Sequence, residues 1–362
     1  MSTSRYWHAQ KTRTKFVITA IVSLLALAPA ACAGSSSAAQ QDASGKTVIR
    51  YQGSPGSVTV PELAEHLGYF PHLKLDWKGN VNGGPESIQA TATGQTEFGS
   101  AFNGAIVKLR DSGAKVTSVI SYYGSDEDTS VGVYVLDDST IKSARDFIGK
   151  SIGVNTLGAQ YEFQITEWLA EQGLTPDEVS QVELKVIPPT NAEQVLREKQ
   201  VDGVILGTIA LEVAKERGGI REVFNDLDVF GPASNGSLAF RDDYIKENPE
   251  VVKEFVTGVA RAIRWTQLQD PAEVRRVYTE ILTSRDRGED ASSVKYYRSL
   301  GVATPGGVIQ DSEYSTWIDQ LKRSDGLKHK NITTKDVYTN DFNPYANGTY
   351  EPTADYDGNP IK

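Results

Sequence analysis

The sequence predicts an α/β fold of two lobes, and three observations predict it. Segments with strand texture alternate with segments of helix texture from Lys46 to about residue 232. Alternation of this kind implies sheets of mostly parallel strands with helices on both faces. The alternation falls into two blocks, 46–133 and 134–232, and a more helical return over 233–345 follows, so the chain is expected to cross twice between the lobes, near 130–138 and near 232–240. The 362 residues have ordinary apolar content and suffice for one large or two medium cores.

Each element follows from its local pattern. "TVIRYQ" reads as a strand, and "VPELAEHLGYF" as a short helix with Pro61 near its first position. Leu73, Leu75 and Trp77 alternate with polar residues, the period of a strand. "GNVNGGPESIQATATG" is a glycine-rich loop that enters a helix at Pro85, and "TEFGSAFNGAIVKLRDSG" is a short strand that runs into another helix. "KVTSVISYYG" and "SVGVYVLDD" are two more strands. Residues 143–174 read as helix, strand and helix, 182–189 as a strand, and 191–219 again as helix, strand and helix. In the return, "GSLAFRDDYI" is a strand. Val252, Phe255, Val256, Val259 and Ile263 then mark one face of a long helix. "DPAEVRRVYTEIL" and "EYSTWIDQLKRSDGL" are further helices, and 346–362 is a turn-rich, partly ordered tail.

The N-terminus reads as an address rather than as fold. A basic, polar start precedes an apolar stretch over 16–31, too short for a membrane span. The single cysteine, Cys32, follows Ala30 and Ala31, and the small polar residues of 32–45 read as a flexible tether. Residues 1–31 resemble a bacterial lipoprotein signal, which implies cleavage before Cys32, its lipidation (palmitate among the chains), and anchoring on the extracytoplasmic face of the cell membrane. Pro29 stands where such signals usually carry Leu, and ordinary signal cleavage after Ala28-Pro29-Ala30 is the alternative. The net charge of −10 becomes more negative once Arg5, Lys11, Arg13 and Lys15 are removed, which argues against nucleic-acid binding.

Five strand-to-helix junctions, 53–59, 79–86, 100–104, 155–159 and 207–210, are rich in Gly, Ser, Asn or Thr. Each alone is ordinary turn chemistry. Five of one character point to a shared cleft beyond the carboxyl ends of strands, where α/β proteins bind ligands. Trp77, Phe102, Tyr122, Tyr123 and Tyr161 lie at or just past strand ends; the adjacent tyrosines are expected to point in opposite directions, with at least one facing the cleft. No catalytic constellation accompanies them. The sequence has no G-x-S-x-G, no H-E-x-x-H and no P-loop. Glu62 and His66 share a helix face with His72 nearby, but no further cluster completes a metal site. Neither an enzyme, nor a cofactor, nor a metal is expected.

Four segments in fixed order carry a family resemblance: "TATGQTEFGSAFNGAIVKLRDSGAKVTSVISYYG", "STIKSARDFIGKSIGVNTLGAQYEFQITEWLAEQGLTPDEV", "REKQVDGVILGTIALEVAKERG" with Asp202, and "NPEVVKEFVTGVARAIRWTQLQDPAEV". Together they resemble the nitrate/sulfonate/taurine group of substrate-binding proteins of ABC importers over about residues 46–342, with Glu97 where the family usually has Asp. The resemblance implies a type II periplasmic-binding-protein clamshell, each lobe a mixed sheet flanked by helices, that closes on a small solute and docks as a monomer on a membrane permease and its ATPase. It carries ligand contacts to Asn82, Gly83, Glu86, Phe102 and Asn103 in one lobe and to Tyr122 and Tyr123 before the crossing. In the other lobe it carries them to Thr156, Leu157, Gly158, Ala159, Gly207 and Thr208. On that basis Gly158→Asp is expected to block an anionic solute. "LGTIA" replaces a more aromatic family stretch, and no Arg occurs at the five junctions, so anion recognition falls to backbone amides, hydroxyls and Asn103, while Glu86 favours a cationic or neutral solute. The alternatives are a binder of an aromatic acid or pyrimidine precursor, an enzyme on the same fold, and a surface sensor.

Overall fold

In the computed structural model, which describes residues 39–361, the strand and helix textures become elements in the expected order. The strands are β1 (Gln40–Gln41), β2 (Thr47–Gly53), β3 (Leu73–Asn80), β4 (Phe98–Phe102), β5 (Val116–Ser125), β6 (Val131–Leu136), β7 (Ser151–Val154), β8 (Glu183–Val186), β9 (Gly203–Gly207), β10 (Ile220–Asn225) and β11 (Ala233–Arg241). The helices of the first block are α1 (Val60–His66), α2 (Gly84–Ala92) and α3 (Asn103–Asp111). Those of the second are α4 (Gln160–Glu171), α5 (Pro176–Val179), α6 (Ala192–Arg197), α7 (Thr208–Arg217) and α8 (Asp226–Phe230). The return adds α9 (Asp242–Glu247), α10 (Pro249–Leu268), α11 (Pro271–Ser284) and α12 (Ser312–Arg323). The signal, Cys32 and the start of the tether lie outside the described residues.

The strand pairing is mixed, where the alternating pattern predicts mostly parallel sheets. β2–β3, β7–β8 and β7–β9 run parallel. β11 returns from the second block and inserts between β4 and β5, antiparallel to both. β6, which enters the second block, lies antiparallel between β9 and β10. Apart from the two-residue β1, which pairs antiparallel with β2, the exceptions belong to the strands that carry the chain across, because a chain that leaves a lobe and returns must run back through its sheet. β10 escaped the sequence reading: it is an edge strand with Arg221 and Glu222 in its middle and one fully buried side chain, Phe224.

Glu97 has a structural reason. Its carboxylate accepts from the Arg50 N–H and the Arg50 Nε (3.0 Å), and its own N–H donates to the Arg50 carbonyl (3.1 Å), so it fastens the edge of β2 beside β4. Beneath these strands, Val252, Phe255, Val256, Val259 and Ile263 of α10 are fully buried, as their spacing predicts. A second cluster gathers on Trp317, and two more cover the faces of the β6–β10 sheet, one around Phe147 and Trp168, the other around Val204 and Leu206.

Both terminal segments are more ordered than their composition suggests. Gln40 and Gln41 pair with β2, and Asp42 accepts from the N–H groups of Ser44 and Lys46, so the expected tether does not extend to residue 45. The tail over 346–361 is turn-rich but packed. Arg261 Nε donates to the Tyr356 carbonyl (3.0 Å), Arg264 Nε donates to the Ala354 carbonyl (2.8 Å), and Ala354 is buried. The guanidiniums of α10 supply the partners that the tail's own polar residues do not reveal.

Candidate functional site

Strand ends and helix starts converge on a chamber of about 180 Å³. One wall comes from the β3–α2 turn (Gly83, Gly84, Pro85) and from Ser100 and Phe102 at the end of β4. The facing wall is Asn155 and the first residues of α4, and Tyr122 and Tyr123 close the end. No Asp, Glu, Lys, Arg or His lines it; its polar groups are serine and tyrosine hydroxyls, two amides and backbone.

The junction chemistry explains why backbone matters here. α2, α3, α4 and α7 begin at Gly83, Phe102, Ala159 and Gly207, and at none of these positions does a side chain cap the helix. α1 and α11, by contrast, are capped by Thr59 and Asp270. An uncapped start leaves first-turn N–H groups and the positive end of the helix dipole open to an acceptor. α2 and α4 present such starts to this chamber, whereas over the first turn of α3 the rings of Phe102 and Phe163 fill the space above Gly104.

The tyrosine pair departs from the expected alternation. The β5–β11 register slips so that Ser234 pairs with Gly124, Gly236 with Tyr123, and Ser237 with Ser121. Tyr122 is left without a partner in this bulge, and both tyrosines line the chamber, their rings 4.8 Å apart at 76°. Gly236 makes this possible, because a Cβ there would lie 1.9 Å from Tyr123 Cε1. Burial pushes the Tyr122 and Tyr161 hydroxyls up to about 12, and that of Tyr123 upward too, so all three remain neutral donors near pH 7.

The other expected contacts divide. Gly83, Phe102 and Ala159 line the chamber. Thr156 packs on the bare Gly83, its Cγ2 at 3.0 Å from the place of a Cβ. Asn103 is completely buried: its Nδ2 donates to the Glu313 carbonyl (3.1 Å) and its Oδ1 accepts from Ser237 Oγ (2.8 Å), so it serves the core and not a solute. Glu86 is exposed outside the chamber and accepts from the Asn82 N–H (3.1 Å), which removes it as a selector of cationic solutes. Leu157 is half exposed. Gly158 has φ +74°, donates to Glu162 Oε2 (2.7 Å), and lines a different groove with Lys108 and Lys328. A Cβ at Gly158 would meet open space, so Gly158→Asp would not fill the chamber as expected. Gly207 lines a small adjoining cavity of about 110 Å³ together with Asn155, and Thr208 begins α7.

Ser87, Ser100, Asn155, Gln160 and Tyr161 are among the lining residues beyond the carried-over contacts. The buried Asn155 Oδ1 has no hydrogen-bond partner among the described residues. Glu62 is not paired with His66 but binds Arg285 (2.7 Å) and Arg287 (2.9 Å), and no metal-ligating cluster occurs among the described residues. A larger chamber of about 420 Å³ adjoins at Tyr123, which lines both.

Between the two blocks lies one buried carboxylate. Asp226 accepts from Ser125 Oγ at the end of β5 (2.5 Å), from the Val131 N–H at the start of β6 (2.9 Å), and from Gln164 Nε2 on α4 (3.2 Å). Asn235 Nδ2 of β11 donates to the same Ser125 Oγ (3.2 Å). Both crossings of the chain are thus tied at one point.

The family model described as NMT1/THI5 like matches residues 58–274, and the chain belongs to that family. A curated relative, the nitrate/nitrite binding protein NrtA of Nostoc sp. PCC 7120, is 26% identical over 152 residues, 41% of this chain. That match spans about a third (33%) of the relative's length. The alkanesulfonate-binding protein SsuA of Xanthomonas axonopodis pv. citri, solved with MOPS, superimposes with a TM-score of 0.65 at 17% identity over 83% of this chain and 100% of its own. The periplasmic nitrate-binding protein NrtA of Synechocystis PCC 6803 gives 0.65 at 12% identity, over 84% of this chain and 89% of its own. These likenesses establish the periplasmic-binding-protein fold, in keeping with the resemblance read from the sequence. The fold is not confined to binding proteins: the desulfurization enzyme DSZB shares it, with a TM-score of 0.56 at 14% identity over 83% of this chain and 99% of its own. Among the described residues, no helix is long and apolar enough to cross a membrane.

Proposed function

We propose that this chain is the extracytoplasmic receptor of an ABC importer, and that it binds a small anion, sulfonate- or nitrate-like, between its lobes for delivery to a permease and ATPase. The observation that carries this reading is the uncharged chamber onto which the uncapped starts of α2 and α4 open. Amides and hydroxyls hold an oxyanion there without a counter-charge, and its release does not require separating an ion pair. The relatives, named as nitrate- and sulfonate-binding proteins, support the same class. The chamber lining holds no histidine, cysteine or carboxylate to act as base or nucleophile, which favours a binder over an enzyme. Tyr122, Tyr123 and Tyr161 favour a second reading, an aromatic carboxylate whose ring stacks on them.

Thermal melting of the purified protein against nitrate, taurine, alkyl and aryl sulfonates, aromatic carboxylates and aminopyrimidines tests the proposal. A solute of the right class at a hundred times its Kd is expected to add about 2.7 kcal/mol of stability. A response to aminopyrimidines alone would overturn the anion reading.

Anchoring at Cys32 is part of the same proposal, with the receptor held as a monomer on the extracytoplasmic face of the cell membrane. Cys32→Ala is expected to move the protein from the membrane fraction to the soluble fraction or to stall its processing. A fully cleaved variant that stays with the membrane would refute the anchor.

A further inference from the structure

We infer that the lobes part on one flank only. They turn about a joint in which Phe163 of α4 stays seated in the first lobe, and they open between α7 and residues 292–298, where Glu212 and Glu216 are latched to Lys295, Tyr296 and Arg298. The purpose of such a motion, the admission of a solute, rests on the receptor reading; its geometry rests on the chemistry of the two flanks.

The α4 flank is a packed joint. Phe163 belongs to the second block, yet it is 5% exposed and its ring lies among residues of the first block and the return, 5.2 Å from Phe102 and 6.3 Å from Trp317. Gly104 leaves room for it, since a Cβ there would lie 2.8 Å from Phe163 Cε1. The Phe163 carbonyl accepts from the buried Gln320 Nε2 of α12 (3.0 Å). An exposed Arg323 adds an ion pair with Glu167, with the ring and the Gln320 bond beneath it. The next residue, Gln164, donates to Asp226 where both crossings are tied, so the joint is continuous with the hinge. Parting it would expose aromatic surface and orphan a buried amide and a carbonyl.

The α7 flank is built differently. Tyr296 Oη donates to Glu216 Oε2 (2.5 Å), Lys295 Nζ lies 3.8 Å from the same carboxylate, and Arg298 Nη2 lies 3.7 Å from Glu212. Glu212 is shared with Lys215 of its own helix (3.4 Å). Glu216, Lys295 and Arg298 are exposed. Behind them the lobes are held apart by the 420 Å³ chamber, lined by Ile209 and Leu211 from α7 and by Leu282 and Val294 from the return. Exposed ion pairs contribute little and are screened by salt, and the chamber leaves little packing to pull apart. The weaker flank gives first, and the motion is a swing of α7 away from residues 292–298.

Spin-label distances in the purified chain test this, with Cys32→Ala to remove the native thiol. Arg217→Cys with Ser292→Cys spans the α7 flank, and Gln172→Cys with Ser324→Cys spans the α4 flank; all four positions are exposed. Raising the salt from about 0.01 M to about 1 M shortens the Debye length from about 30 Å to about 3 Å. The first distance is expected to lengthen by at least about 5 Å and the second to stay within about 2 Å. Glu216→Lys should lengthen the first distance at low salt, and adding Lys295→Glu should reverse it. Phe163→Ala should broaden the second distance, and Phe163→Leu should broaden it far less. Equal changes across both flanks, a change across the α4 flank alone, or a second distance unmoved by Phe163→Ala overturns the pivot. A first distance that responds neither to salt nor to Glu216→Lys overturns the latch. All of these are read without solute and stand apart from the receptor reading, which fails instead if the labels behave as expected and no solute of the melting panel shortens the first distance.

Discussion

Asp226→Ala is expected to remove about 3 kcal/mol of folding stability, the cost of leaving buried donors unpaired at about 1–3 kcal/mol each. Asp226 is 1% exposed, and alanine orphans the Ser125 hydroxyl, the Val131 N–H and the Gln164 amide together. The loss is partly offset, because burial raises the Asp226 pKa and the native state therefore carries the cost of a desolvated carboxylate. Asp226→Asn separates the two effects: it removes the charge and keeps one acceptor and the shape. The alanine variant should also protect the Val131 amide less from hydrogen exchange, since that N–H opens the first crossing. Urea unfolding that places Asp226→Ala within about 1 kcal/mol of the parent, less than one orphaned buried group costs, would mean that this carboxylate does not fasten the crossings.

Local patterns made the scaffold legible, and long-range pairings hid much of the site. The α10 stripe and the capped start of α1 at Thr59 are set by neighbours within a turn, and the sequence shows them directly. The small residues at the helix starts were equally legible, because the lack of a cap is a property of one position. The direction of a side chain at such a start is not. Asn103 turns to Glu313 and Ser237 in the core, and its neighbour Phe102, though it lines the chamber, packs its ring on Phe163 and Trp317. The same limit applies to Glu86, which faces away from the chamber, and to Gly158, whose N–H is taken by Glu162. The tyrosine bulge depends on the register of β11, more than a hundred residues downstream, and no local pattern encodes that slip. Gly236 was a visible hint, since a glycine inside a strand often marks a bulge or a close approach.

The pH dependence of stability should be dominated by Glu313, and Glu313→Gln should flatten it. Glu313 is 5% exposed in the first turn of α12; its Oε2 accepts from Ser121 Oγ (2.5 Å), and its Oε1 has no partner among the described residues. Burial pushes its carboxyl from 4.5 up to about 7, against the pull of the serine hydroxyls. Between those values the folded state keeps a proton that the unfolded chain has released, so stability falls as pH rises through the window and the full cost is present above it. A shift of that size corresponds to about 3 kcal/mol at 1.36 kcal/mol per unit. Glutamine fills the same volume, accepts from Ser121 and carries no charge. The variant should therefore match the parent at pH 4.5 and exceed it at pH 8 by up to about 3 kcal/mol, read from urea unfolding at the two pH values. An equal difference at both would assign the pH dependence to another group. Solute affinity should not follow, because Ser121 and Asn103 meet Glu313 on the core side, and Glu313 does not line the chamber.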